Sequence, residues 1–217
     1  MARRSQRAIV RALLERHGQT FAQELGIKPE RAAPSQLFRL LVASILFSAR
    51  IGHGIAIEAA KALFREGWTT PQKLGAAPWA QRVRVLNRSG YARYDESTSR
   101  MLGEDCELLL ECYRGDLRRL REQAGREPKR ERALLKEFKG MGDVGVDIFF
   151  REVQLVWEEL YPFADRRARQ AAQRLGLPAD PATLARLVER SEFARLVAAL
   201  VRTSLERDFD AVRSAAV

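Results

Sequence analysis

Two cysteines and two histidines are all that the 217 residues hold of either type. Cys106 and Cys112 stand six residues apart in a stretch that reads as one helix, where that spacing turns them away from each other. No disulfide is expected between them. Two thiols cannot supply a four-thiolate zinc or iron–sulfur site, and His17 and His53 are too well separated in sequence to suggest a histidine cluster. No metal site is expected. Convincing period-two alternation is missing too, so no sheet is expected. Long apolar runs are absent. The opening "MARRSQRAIVRALLERHG" is basic and broken by charges, unlike a signal peptide, and no stretch is long enough to span a membrane. The expectation is a cytoplasmic, nucleoid-associated protein with no membrane partner.

Positive charge and helical periodicity are what the chain does have. Lys plus Arg number 38 against 28 Asp plus Glu, a formal net charge of +10. Arginine greatly outnumbers lysine, and its planar fork is the better partner for phosphate. A basic balance of this kind is the electrostatic footprint of a nucleic-acid binder, although arginine-rich proteins at large share it. Apolar residues recur at helical spacing through most of the chain. "SQLFRLLVASILFSAR" (Ser35 to Arg50) is apolar on most sides and reads as a central, buried helix. "VGVDIFFREVQLVWEEL" reads as one helix, as does "ATLARLVERSEFARLVAALVRTSLERDF". The fold class expected is all-α.

One short segment, "EFKGMGDVGVDIFF" (Glu137 to Phe150), places two glycines one residue apart between amphipathic helices. Gly140 and Gly142 can take positive φ and let the backbone approach a ligand. The following helix then points free N–H groups at the place where an anion is stabilised. The pattern resembles the helix-hairpin-helix motif, which grips a DNA phosphate without reading sequence. Phe138, Gly140, Met141, Gly142 and Val146 fill it. Asp143 stands where a basic or neutral residue is common, and a carboxylate there should repel phosphate. A plain structural corner is the alternative.

Further segments widen the resemblance. "FADRRARQAAQRLGL" is similar to "VDTHVxRxxxRLGL" of the endonuclease III-like DNA glycosylases, the helix-hairpin-helix–GPD superfamily. "LLVASILFSARIGHGIAIEAAKALF" is similar to that family's "LLVAxILSAQTTDxxVxxAxxxLF", and "LNRSGYARYDESTSRML" resembles its "IxxxGLYxxKAxxI" segment. Four segments in order span roughly Leu37 to Leu177. The resemblance implies a six-helix barrel carrying the hairpin, expected over residues 36–157. A second lobe, from residues 1–35 and 158–217, completes the expected two-lobed fold. It further implies double-stranded DNA as partner, a monomer, and a monovalent cation as an option at the hairpin carbonyls.

Asp165 falls on the family's catalytic aspartate. A carboxylate near C1′ stabilises the oxocarbenium-like sugar during N-glycosidic hydrolysis and can orient water. Asp165 also has the look of an ordinary helix N-cap, and one residue can serve both ends. Arg166 and Arg167 replace a common Thr-His, and two cations beside the carboxylate make it a poorer base; alternatively, they bind phosphates flanking an extruded base. Arg50 matches a position whose side chain fills the gap left by that base, with a structural salt bridge as the competing role. Lys139 reads as a phosphate contact. Val144 occupies the place of the lysine that attacks C1′ in strand-cutting members, and a Schiff-base lyase needs an amine. The C-terminal cysteines that hold an iron–sulfur cluster in many relatives are absent, so no cofactor is expected. The expected function is a monofunctional base-excision glycosylase. The alternative is a catalytically degenerate relative that binds bent or damaged DNA without cleaving it.

Overall fold

The computed structural model describes residues 2–216, and among them every regular element is a helix, as expected. The chain forms two compact units, Leu25–Phe149 and Met1–Glu24 with Phe150–Val217.

In the unit Leu25–Phe149 the helix Pro34–Ser48 is the centre of the core. Leu37, Phe38 and residues 40–46 are all buried, because apolar residues occupy every side of the cylinder. Each buried Leu or Phe contributes roughly 1.5–3 kcal/mol. The helix packs against His53–Arg65, which in turn meets Trp79–Arg88, and the long helix Asp95–Tyr113 collects Pro71–Ala76 and Trp79–Arg88. Thr70 caps Pro71–Ala76 by accepting from Lys73 N, and the proline at the first position suits a place where no N–H is needed. Arg82 is buried against this cluster. It donates to the carbonyls of Leu74 and Ala77 and to Ser99, so one guanidinium satisfies the end of one helix and the flank of another.

In the unit Met1–Glu24 with Phe150–Val217, the helix Ala2–His17 packs against Phe193–Glu206 and Phe209–Ala215. Arg166–Arg174 packs on Phe193–Glu206 and turns Ala168, Ala171 and Ala172 inward.

Two expected helices are shorter than their periodicity suggests. The one opening at Asp143 stops at Val153, with a separate 3-10 turn at Glu158–Leu160. Gln154 follows its last residue. Its side-chain amide donates to Arg151 O and Phe163 O and accepts from Phe163 N, which ties the end of the helix to the returning chain. The C-terminal run breaks into Pro181–Ala185, a 3-10 turn Arg190–Glu192 and Phe193–Glu206.

Candidate nucleic-acid interface

The glycine turn belongs to the unit Leu25–Phe149 and is clamped from beneath. Phe138 is buried and stacks on Tyr113, ring centroids 6.3 Å apart. Lys139 donates its backbone N–H to Asp105 Oδ1 at 2.6 Å. Ser48 Oγ lies 2.9 Å from Gly140 O and 2.7 Å from Ile45 O, within donating reach of both. Met141 is buried, and its N–H returns to Phe138 O. Gly140 sits at φ +80°, and a Cβ there would lie 3.0 Å from Ile45 Cγ2. The left-handed conformation calls for glycine at this position, and the space beside Ile45 is tight as well.

Gly142 differs from the expectation that both glycines use positive φ. Its φ lies outside the left-handed region, a Cβ would meet nothing within 4 Å, and the residue is exposed. The chain's own sterics therefore do not explain this glycine; what its bareness leaves open is the approach from solvent. The helix Asp143–Val153 begins directly after it, and Val146 N–H is the helical donor that returns to Gly142 O.

Asp143, expected to repel a phosphate, accepts instead from Lys136 Nζ at 3.0 Å, with Arg132 Nη1 at 3.8 Å. The Lys136 ammonium holds the Asp143 carboxyl below the usual carboxylate range. The negative charge is thus matched by its own neighbours, and Lys136 is spent on Asp143. Val144 is 61% exposed on the first turn. Lys139 is exposed. Lys139, Gly140, Met141, Gly142 and Val144 thus belong to one turn and the helix start after it, while Arg50 is exposed two residues beyond Ser48, the residue that touches Gly140.

Asp165, Arg166 and Arg167 lie in the other unit. Asp165 is the N-cap of Arg166–Arg174: Oδ1 accepts from Ala168 N at 2.9 Å. Its Oδ2 accepts from Arg151 Nη1 at 2.6 Å, and the residue is only 6% exposed. Arg151 is likewise buried, lies over the Phe21 ring, and has its Nε 3.5 Å from Glu152 Oε1. Glu152 Oε2 accepts from Ala22 N. Arg166 and Arg167 are exposed. Arg151, Glu152 and Gln154 escape a reading of the sequence. Their signal is three polar residues in "FFREVQ" within an otherwise apolar helix, a pattern that does not by itself reveal the partner.

Among the described residues, no three His, Cys, Asp or Glu side chains group as a metal site. Cys106 and Cys112 are free thiols on the single helix Asp95–Tyr113, a pair that does not fit the four-thiolate set of an iron–sulfur cluster. No helix among the described residues is long and apolar enough to cross a membrane.

No family model and no curated protein matches the chain. A solved structure does: a trapped endonuclease III–DNA covalent intermediate in its estranged-adenine complex. Identity is 20%, the match covers 77% of this chain and 73% of that one, and the TM-score is 0.50. With its all-helical elements and the glycine turn between helices, the chain has the endonuclease III-like fold.

Proposed function

We propose that the chain binds double-stranded DNA by gripping a backbone phosphate with the Phe138–Val146 hairpin. The turn carries this reading: Gly140 locked by buried neighbours, Gly142 bare toward solvent, and a helix start whose first N–H groups have no intrahelical acceptors. Lys139 and Arg50 supply charge at the same turn, Met141 anchors it, and Val144 lies against the bound strand. One copy of the chain suffices, and no cofactor enters.

Once DNA is bound, two fates are open to it. In the first, the chain is a monofunctional glycosylase. A base leaves the stack, the N-glycosidic electron pair departs with it, Asp165 steadies the positive charge at C1′, and water supplies the hydroxyl. The place of Asp165 at the head of "DRRARQAAQRLGL" supports it. In the second, the chain holds bent or damaged DNA and does not cleave it. The geometry of Asp165 supports this one: both oxygens are engaged, one by Ala168 and one by Arg151, and the carboxylate is nearly sealed. We favour the second, since Asp165 would have to give up Arg151 before it could approach a sugar. Strand cutting through an amine at the Val144 position is excluded by its chemistry.

Gly142→Ala tests the grip. The added methyl meets no protein atom, so thermal stability should stay put while affinity for a duplex falls about tenfold, the worth of one charge-assisted contact. Unchanged affinity would remove the hairpin from the interface. Duplexes carrying uracil, mismatched thymine, oxidised pyrimidine or alkylated purine, treated with alkali after incubation, should show no cleavage. Alkali-dependent cleavage that disappears in Asp165→Asn would establish the glycosylase instead. Borohydride should trap no adduct on an abasic duplex.

A further inference from the structure

The helix Arg166–Arg174 reads "RRARQAAQR" and contains no acidic residue. Its three alanines are buried, while Arg166, Arg167, Arg169, Gln170, Gln173 and Arg174 are exposed. At roughly 100° per residue these six cover one continuous side of the cylinder. Arg174 is occupied, its guanidinium 3.9 Å from the centre of the Phe209 ring. Among the described residues, Arg166, Arg167 and Arg169 have no carboxylate partner. This sets them apart from Arg16, Arg118, Arg202 and Arg213, each of which is paired with an acid.

An ordinary solvated helix face would be built differently. The first turn of a helix carries the positive end of its dipole, where acids stabilise and cations do not. Here Arg166 and Arg167 occupy that turn. The one adjacent acid, Asp165, turns both oxygens inward to Ala168 and Arg151, so it leaves their charge standing. Three arginines are therefore held on one rigid element, two of them where they work against the helix, with two amide side chains between them. That arrangement suits an external anion with regularly spaced charges. The opposite face is alanine buried within its own unit, so the helix has no apolar side to lay into a bilayer.

We propose that this face is a phosphate-tracking surface for duplex DNA, separate from the glycine hairpin, with Arg166, Arg167 and Arg169 as its charges. Gln170 and Gln173 donate to phosphate or sugar oxygens between them. The surface is blind to sequence, since its contacts are to the backbone. It rests on the DNA-binding reading above and not on the hairpin grip.

The test is the salt dependence of binding, read by fluorescence anisotropy on the full chain with a labelled duplex of random sequence. Each phosphate neutralised contributes about 0.9 to the slope of log K against log salt. The triple variant Arg166→Gln, Arg167→Gln, Arg169→Gln should flatten that slope by about 2–3. A control that removes equal charge from other exposed positions, Arg31→Gln, Arg65→Gln, Arg84→Gln, should leave it nearly unchanged. Replacing the same three arginines by lysine should retain the slope. The Gln triple should melt no lower than the parent, because relieving cations at a helix start does not destabilise it. A slope equal to the control's, with binding intact, overturns this inference and leaves the hairpin reading standing. A parent that fails to bind any duplex overturns both. A loss seen only on anionic vesicles assigns the face to a membrane surface and overturns the inference.

Discussion

Gly140 and Gly142 lie one residue apart and answer to different constraints. At Gly140 an added methyl meets Ile45, and the left-handed φ penalises any side chain. Gly140→Ala should cost about 1–3 kcal/mol in a denaturant titration, whereas Gly142→Ala should stay within about 0.5 kcal/mol of the parent. Asp105 is the other residue on which the turn depends. Burial pushes its carboxyl up to about 8, with the Lys139 N–H pulling the other way. An unfolded aspartate loses its proton near pH 4, so between about 4 and 8 the native chain holds a proton the unfolded chain has lost. Stability then falls as pH rises through that window. Asp105→Asn removes the effect. Its stability relative to the parent should improve by on the order of 3–4 kcal/mol between pH 5 and pH 8; a gap that stays constant would mean that the carboxyl is solvated. Of the two thiols, Cys106 is buried and pushed up to about 12, chiefly by that burial, while Cys112 is exposed. A thiol reagent should label one cysteine in the native protein and both in denaturant.

At the scale of elements, the helix Arg166–Arg174 depends on a buried ion pair as much as on its own residues. Asp165→Ala removes the cap and strands Arg151, and should cost on the order of 3–5 kcal/mol. Asp165→Asn keeps an oxygen for Ala168 and should cost less. Measuring both by urea unfolding separates lost chemistry from lost fold in any activity comparison. Helix existence is legible from periodicity throughout: Ser35 to Arg50 reads as a buried helix and the structure has Pro34–Ser48. Helix ends are less so. Past the stop at Val153, the Gln154 side chain bonds to Phe163, nine residues on, and a periodic pattern carries no record of such a return. Arg82 makes the same point. Its place in "WAQRVRVLNRSG" gives no hint of burial, yet it serves carbonyls of a neighbouring helix.

At the scale of the whole molecule, net charge and fold class speak most clearly. A formal charge of +10 predicts association with polyanions that weakens steeply with salt. The unit built from both ends of the chain ties Ala2–His17 to Phe193–Glu206. Deleting the chain from Pro181 onward removes the partner of Val10, Ala12 and Leu13, all buried in the intact protein. The truncated protein should lose cooperative melting and aggregate; a cooperative transition unchanged in midpoint would show that this pairing contributes little.

An all-helical chain, a glycine turn between helices and a basic charge balance are legible in the residues alone, because periodicity, φ-permissive residues and net charge are local or additive properties. The run "PFADRRARQ" reads by itself as a helix start with Asp165 as its cap, and the structure puts it there. The surroundings of these groups come from the tertiary fold. It pairs Asp143 with Lys136, turns Asp165 away from Arg166 and toward Arg151, buries Asp105 under the turn, and leaves Gly142 open. Each of these depends on which side chains meet across the fold, and the energy of a charge is set by that company and by its distance from water.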